Sequence, residues 1–458
     1  MSDQNKNSNR FLLFFIIFLT SFSLGFQISE NKEIFTNNQA QTKENNIVNT
    51  FLQDKLLKKD LDLELFWQVY NIVSQNYYSS DEIDKKNVQY GVIDGFVKSL
   101  WDKFSEFMTP EITKEFENTL NGDFEGIGAV INKHELGIVV DRVLKGSPAL
   151  QNGILKWDIV VEANGIDLKE LSSNEAVNHI KWPAGTKVTL KIIRSWESDF
   201  LIKEIQRDKI KIPSVDTLDM KDEEIGYITL NMFWENTSRE FLEMLESFNN
   251  DTTKWIIIDL RDNGWGYLNS AVEILSYFIE NNKPLVTTKY KDSILNNTYY
   301  SENNGKIFDK KIVLLINENS ASASEITAGA LKDYNKAILV WEKSYGKWSV
   351  QQPFNLSDGS MIKLTIAKWY TPKDYSIDHN GIEPDIKVSF KKEDYTPEPG
   401  KEEDFIPYDR QLETAKEVLK KFIKLWNIGL VVDEYKKEHP ELSQTGSEMK
   451  TLTGSTQK

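Results

Sequence analysis

Between residues 226 and 395 short apolar runs alternate with amphipathic helical stretches, and this alternation constrains the fold more than any other feature of the chain. GYITLNMF, WIIIDLR, KIVLLIN and AILVWE read as strands. SREFLEMLESF, LNSAVEILSYFI and SEITAGALKDY, which lie between them, place apolar residues at helical spacing. A further strand, SMIKLTIAKWY, follows. Apolar strands alternating with one-sided helices imply an α/β layer whose chemistry sits at the strand C-terminal ends.

The flanking segments have different character. Residues 61–120 show helical spacing, clearest at Leu65, Phe66, Val69, Ile72 and Val73, and Pro110 suits the first turn of a short helix. Residues 121–195 change period. GIGAVI, GIVVDRVL, DIVVEANG and KVTLKIIR read as short strands separated by Gly-Ser-Pro, Asn-Gly and Ala-Gly turns, with two short helices over 149–154 and 174–180. The expected organisation is therefore a helical N-terminal module (61–120), a small β-rich domain (121–195), an α/β core (196–395), a C-terminal helical segment (396–430) and a disordered tail (431–458).

Residues 11–28, FLLFFIIFLTSFSLGFQI, carry no charge and follow Lys6 and Arg10. Such a stretch is at the short end of what crosses a bilayer as a helix. It is expected to act as a signal anchor or a signal peptide, followed by a polar tether over 29–60, with the bulk of the chain facing outward. Membrane contact would then run through this segment, and the catalytic region would be periplasmic or at the cell surface, or secreted if the signal is cleaved.

Composition excludes several chemistries. Cysteine is absent, which removes thiol nucleophiles, disulfides and Cys-based metal sites. The four histidines, His134, His179, His379 and His439, have no metal-ligand spacing, so neither a metal nor another cofactor is expected. A formal charge of −15 argues against nucleic acid as the main partner.

Ser320, Ser322 and Ser324 stand at two-residue spacing at the end of the KIVLLIN strand, directly before a helix. Helix-start N–H groups favour developing negative charge, so a nucleophile fits there. Any one of the three could equally be an N-cap or a packing residue. Lys347, between Gly346 and Trp348, could supply the base, since a desolvated lysine can take a proton from serine.

Taken together, ENSASASEI, EKSYGKWSVQ, LSDGSMIKLTIAKWYTP and NGIEPDI resemble the C-terminal processing (tail-specific) serine protease family, and the resemblance runs from about residue 62 to 395. It implies a Ser-Lys dyad in an α/β core of the crotonase-like, tail-specific protease type. The family nucleophile falls on Ser322 and the family lysine on Lys347, 25 residues further on. Gln351 matches the glutamine that orients the lysine, and the N–H of Ala323 is an oxyanion donor. A second donor, Gly266, is expected from the loop after WIIIDLR. That loop departs from the family's DLRxNxGG pattern by placing Trp265 where a glycine is usual.

The β-rich segment resembles a PDZ domain, with Gly126, Ile127, Gly128 and Ala129 as the loop whose N–H groups hold a peptide carboxylate. GSPAL, KWDIVVEANG and GTKVTLKI follow in the family order, and Lys181 stands where some relatives carry an arginine. The expected activity is that of a serine endopeptidase which recognises apolar C-terminal tails of extracytoplasmic proteins and cleaves through an acyl-enzyme. The competing expectation, favoured by Trp265, is a PDZ adaptor that binds tails without cutting them. Self-association and an activating partner stay open.

Overall fold

The computed structural model describes residues 62–440 except 121, 145, 172, 182, 219, 221–223, 303–306, 379, 389–408 and 426. The apolar segment 11–28, the tether 29–60 and residues 441–458 lie outside the described residues. The chain divides into two units between Val88 and Gln89. In the first unit, helix α1 (Glu64–Asn76) carries Leu65, Val69, Ile72 and Val73, all exposed.

The second unit begins within helix α2 (Lys85–Lys98) and continues through strand β1 (Glu106–Met108) and helix α3 (Pro110–Leu120), which opens on Pro110. Strand β1 was not legible in the helical pattern of residues 61–120. It pairs antiparallel with the last long strand of the core, Phe107 opposite Ile362, so a distant partner sets its conformation.

Strands β2 (Asp123–Gly126) and β9 (Asp208–Lys211) form a two-stranded ribbon at the entry and exit of the small domain. Inside it run β3 (Ala129–His134), β4 (Gly137–Val143), helix α4 (Pro148–Gln151), β5 (Ile159–Ala163), β6 (Ile166–Asp167), helix α5 (Ser173–Lys181), β7 (Lys187–Ile193) and β8 (Leu201–Gln206). The sheet order is β3-β4-β5-β7-β8. The sheet therefore extends past residue 195, because β8 pairs with β7 from Leu201 to Gln206. Next to β8, the buried Arg207 donates to the carbonyls of His179 and Ile180, which caps the C-terminus of α5.

The core holds a six-stranded sheet of order β10-β11-β12-β15-β16-β19, comprising β10 (Val215–Leu218), β11 (Ile225–Leu230), β12 (Trp255–Asp259), β15 (Lys311–Ile316), β16 (Ala337–Trp341) and β19 (Ile386–Lys387). All pairs are parallel except β10 with β11. Successive side chains along a strand point to opposite faces, so each uninterrupted apolar run fills two cores. Ile256, Ile258, Leu314 and Leu339 pack under α6 (Thr237–Ser247), α7 (Leu268–Ser276) and α8 (Ala323–Asp333). On the other face, Ile257, Val313, Leu315 and Ile338 pack under α9 (Arg410–Leu425) and α10 (Ile428–Glu438).

Helix α10 corrects the expectation of disorder from residue 431. Val431 and Tyr435 are buried on the second face, and each buried apolar side chain contributes roughly 1.5–3 kcal/mol, which outweighs the polar composition around them. Asp409 starts α9 by accepting the N–H of Leu412 and also pairs with Arg261 after β12, anchoring the helix to that end of the sheet.

A second sheet runs β1-β18-β13-β14, where β13 is Pro284–Tyr290, β14 Asn297–Tyr300 and β18 Met361–Tyr370. Strand β17 (Ser349–Asn355) also pairs with β18, so the segment that carries Lys347 leads directly into this sheet.

Candidate active site

The turn between β15 and α8 is pinned by two of its three serines. Ser320 Oγ donates to Leu260 O at 2.8 Å and accepts the Asn317 N–H at 2.9 Å. Ser324 Oγ donates to Asn263 O at 2.8 Å, and the Ala321 N–H donates to the same carbonyl at 3.0 Å. Both hydroxyls are fully buried and tie the turn to the loop after β12. Ser322 is the serine of the three left partly exposed, and it sits at the start of α8 with φ of +57°. A non-glycine residue held there stores on the order of 1–3 kcal/mol, and it persists because its neighbours are fixed on both sides.

The group that joins this turn to the lysine loop is Glu325, fully buried in the first turn of α8. One carboxylate oxygen accepts the backbone N–H of Ser322 at 3.0 Å and that of Lys347 at 2.9 Å. The other accepts the Gly346 N–H at 2.7 Å and the Ser344 hydroxyl at 2.5 Å. Burial pushes this carboxyl above the ordinary glutamate value, while the four donors pull it back. Sequence reasoning missed Glu325, although Ser322-Ala-Ser-Glu325 has the S-x-x-E spacing of a capping box, which is a readable signal.

Lys347 is held at its carbonyl by the Trp369 indole N–H at 2.9 Å. Its Nζ forms no hydrogen bond among the described residues, and the Phe104 ring lies 5.4 Å from it. Burial, assisted by the positive charge of Lys363 and opposed by Glu325, brings the Lys347 amine down from 10.5 to about 8. An amine titrating there has a substantial neutral population at mildly alkaline pH and can take a proton from serine. Phe104 and Lys363 carried no sequence signal, because strand pairing brings them to the lysine, β1 with β18 on the Phe104 side and β17 with β18 on the Lys363 side.

Gln351 does not hold the amine as expected. Its Nε2 donates to Ser349 Oγ at 2.7 Å and Thr365 Oγ1 at 3.1 Å, which fixes the register of β17 on β18. The amide nitrogen thus serves the sheet.

The oxyanion candidates are the N–H groups of Ala323 and Gly266. The Ala323 N–H, at the start of α8, is used by no hydrogen bond among the described residues. On the loop after β12, Gly266 forms a parallel bridge to Phe233, with the following Tyr267 N–H donating to Phe233 O at 2.7 Å. Gly266 has φ of +154°, and a Cβ there would meet Phe233 Cβ at 2.4 Å and its carbonyl oxygen at 2.7 Å, so the position requires glycine.

Trp265 does not disturb this backbone. The left-handed φ of the loop falls on Asp262, at +58°, which the side chains of Asn317 and Asn319 hold. The indole stacks on Phe116 of α3, with centroids 6.2 Å apart and planes 18° from parallel. Burial acts to raise the Asp262 carboxyl, but the charges of Lys156 and Arg142 on the small domain, with the asparagine amides, leave it below the ordinary aspartate value.

In the small domain Gly126, Ile127 and Gly128 are buried, and Ala129 opens β3. The carbonyl of Ile127 accepts the Ala149 N–H at 2.7 Å and that of Gly128 accepts the Leu144 N–H at 2.9 Å. Gly128, at φ of +80°, leaves no room for a Cβ, which would sit 2.3 Å from Ser147 Cβ. The carbonyls of this loop are thus turned into the domain. Among the described residues no group of three or more His, Asp or Glu is placed to hold a metal ion.

The family model of the PDZ domain matches residues 116–193, and that of peptidase family S41 matches residues 224–388. The residues matched by the S41 model contain the serine turn, the lysine loop and the loop with Gly266. A probable CtpA-like serine protease of Staphylococcus aureus (strain N315) is 39% identical over 326 residues, 71% of this chain and 64% of the relative. The protein of the same description from Staphylococcus saprophyticus is 36% identical over 324 residues, 70% of this chain and 64% of the relative. The chain thus spans 64% of the length of these curated relatives. Among solved structures, the photosystem II D1 C-terminal processing protease superposes with a TM-score of 0.52 at 23% identity, covering 70% of this chain and 86% of that one, a likeness of fold.

Proposed function

We propose that the chain is a serine-type endopeptidase that processes C-termini, with Ser322 as nucleophile and Lys347 as general base. The observation that carries the reading is that one oxygen of Glu325 binds the backbone N–H of both residues, while burial lowers the Lys347 amine to about 8. The S41 match and the CtpA-like relatives support a protease of this kind.

In this reading Lys347 Nζ takes the Ser322 proton as Oγ attacks the peptide carbonyl. The resulting oxyanion is met by the N–H groups of Ala323 and Gly266. The intermediate collapses to an acyl-enzyme when Lys347 returns the proton to the leaving amine. Water, deprotonated by the same lysine, then releases the acyl group. The PDZ domain selects substrates by binding an apolar C-terminal tail as an added strand, with the carboxylate at the Ile127–Gly128 loop. The apolar segment 11–28 would hold the enzyme at a membrane with the catalytic region on the extracytoplasmic side.

The test is incubation of the full chain with peptides that differ only at the C-terminus, followed by mass spectrometry of the products. Cleavage of apolar-tailed peptides, lost in Ser322→Ala and in Lys347→Arg, is the expected result. A guanidinium does not deprotonate at working pH, so an active Lys347→Arg variant would refute the dyad. Tail binding without turnover by the unmodified chain would establish an adaptor instead.

A further inference from the structure

Segment 102–107 precedes the PDZ domain by sequence, yet it is built against the lysine loop. Asp102 shapes it by accepting the Phe104 N–H at 3.1 Å and the Ser105 hydroxyl at 2.6 Å. Ser105 Oγ in turn accepts the Thr365 N–H at 3.0 Å, at the point where β18 has passed β1 and not yet reached β13. Lys103 Nζ reaches the Tyr345 hydroxyl at 3.1 Å, two residues before Lys347. These ties fix Phe104 between them, with its ring 5.4 Å from Lys347 Nζ. Across the same strand pair Lys363 faces Glu106 at 3.0 Å and lies over the Phe116 ring at 5.5 Å.

We propose that Phe104 and Lys363 are positioning residues that keep Lys347 in its neutral, proton-accepting form, Phe104 by excluding water and Lys363 by repulsion. The inference rests on Lys347 being the base. Two effects of the Phe104 ring oppose each other. Its face attracts a cation, but at 5.4 Å that attraction is near the limit of its range. Excluding water from the ammonium costs far more, and burial is the largest cause of the lowered Lys347 value. Removing the ring therefore favours the protonated amine.

The charged groups around Lys347 are accounted for from each side. Lys363 on β18 favours the neutral amine and Glu325 on α8 the charged one. Asp102 is engaged by Ser105, and Lys103 by Tyr345. Lys363 repels although Glu106 pairs with it, because that carboxylate is half exposed and screened.

The test reads the Lys347 amine directly, by the pH dependence of its labelling with an amine reagent and mass spectrometry, in the full chain. Phe104→Ala and Lys363→Met should each move its titration toward the ordinary lysine value, whereas Phe104→Leu and Lys363→Arg should leave it in place. For each pH unit gained, kcat/KM at pH 7 should fall about tenfold, with little loss above pH 10. Unchanged labelling in both Phe104→Ala and Lys363→Met overturns the proposal. Labelling that moves while the kcat/KM profile stays fixed supports the tuning but refutes Lys347 as the base, so the two failures are distinguishable. A Phe104→Leu variant that behaves like Phe104→Ala would overturn water exclusion by apolar bulk, since loss of the ring's attraction for a cation would move the titration the other way.

Discussion

Replacing Lys347 with methionine should stabilise the fold while abolishing activity. An amine that titrates at about 8 in the fold and at 10.5 in the unfolded chain binds its proton less tightly when folded. For a base whose value is depressed, the cost to the fold is complete below about pH 8, shrinks as pH rises, and is gone above 10.5. Each pH unit between the two values is worth about 1.4 kcal/mol, so holding the charged amine in this site costs on the order of 3 kcal/mol at neutral pH. Methionine has similar volume and no charge to desolvate, and Nζ has no hydrogen bond among the described residues to lose. Urea unfolding of the parent chain and of Lys347→Met at pH 7 and pH 10.5 provides the measurement. The expected result is a gain of about 2–3 kcal/mol at pH 7 that largely vanishes at pH 10.5. Equal stability at pH 7, or a gain that does not depend on pH, would refute the argument that burial of an ionisable lysine is the source of its reactivity.

Glu325→Gln should lower both stability and kcat/KM, because an amide cannot accept from the four donors that converge on Glu325; leaving the Gly346 N–H unmet and removing charge assistance from the rest costs roughly 2–4 kcal/mol, readable by thermal unfolding. Gly266→Ala should reduce kcat/KM by about 10²-fold or more, since a Cβ 2.4 Å from Phe233 Cβ forces the loop to shift, and steady-state kinetics would detect any smaller effect. Ser322→Gly should eliminate turnover yet raise stability by about 1 kcal/mol, because glycine adopts φ of +57° without strain; a destabilised variant would contradict the strained-turn reading.

Much of the architecture was legible because it is written in local periods. Ile256 to Ile258 and Ile312 to Ile316 are apolar at every position, and each residue goes to one of two cores on alternate faces of the sheet. Pro110 opens its helix for a reason local to proline. By contrast, Glu106–Met108 has no strand pattern of its own and is a strand because Lys363, Ile362 and Met361 lie beside it. Residues 428–438 did carry a helical signal, with Ile428, Val431, Val432 and Tyr435 at helical spacing after Asn427, but the polar composition around them masked it until they were seen to complete the face that α9 covers.

The same division runs through the site. By itself the sequence determined that a serine-rich turn stands between an apolar strand and a helix, with a lysine 25 residues downstream, because motif and spacing are properties of the chain. Only the tertiary structure decided which groups surround that lysine. Phe104 and Lys363 lie on opposite sides of it along the chain and meet it through the pairing of β1 and of β17 with β18. Gln351 sits at the expected place in the sequence, yet it bonds to Ser349 and Thr365, since a side chain takes the partner that packing brings nearest. Trp265, the residue that broke the expected loop pattern, finds its place on Phe116 from another helix. Proton affinity depends on solvent exclusion and on charges brought together from distant segments, so it could be read only after the fold was in view.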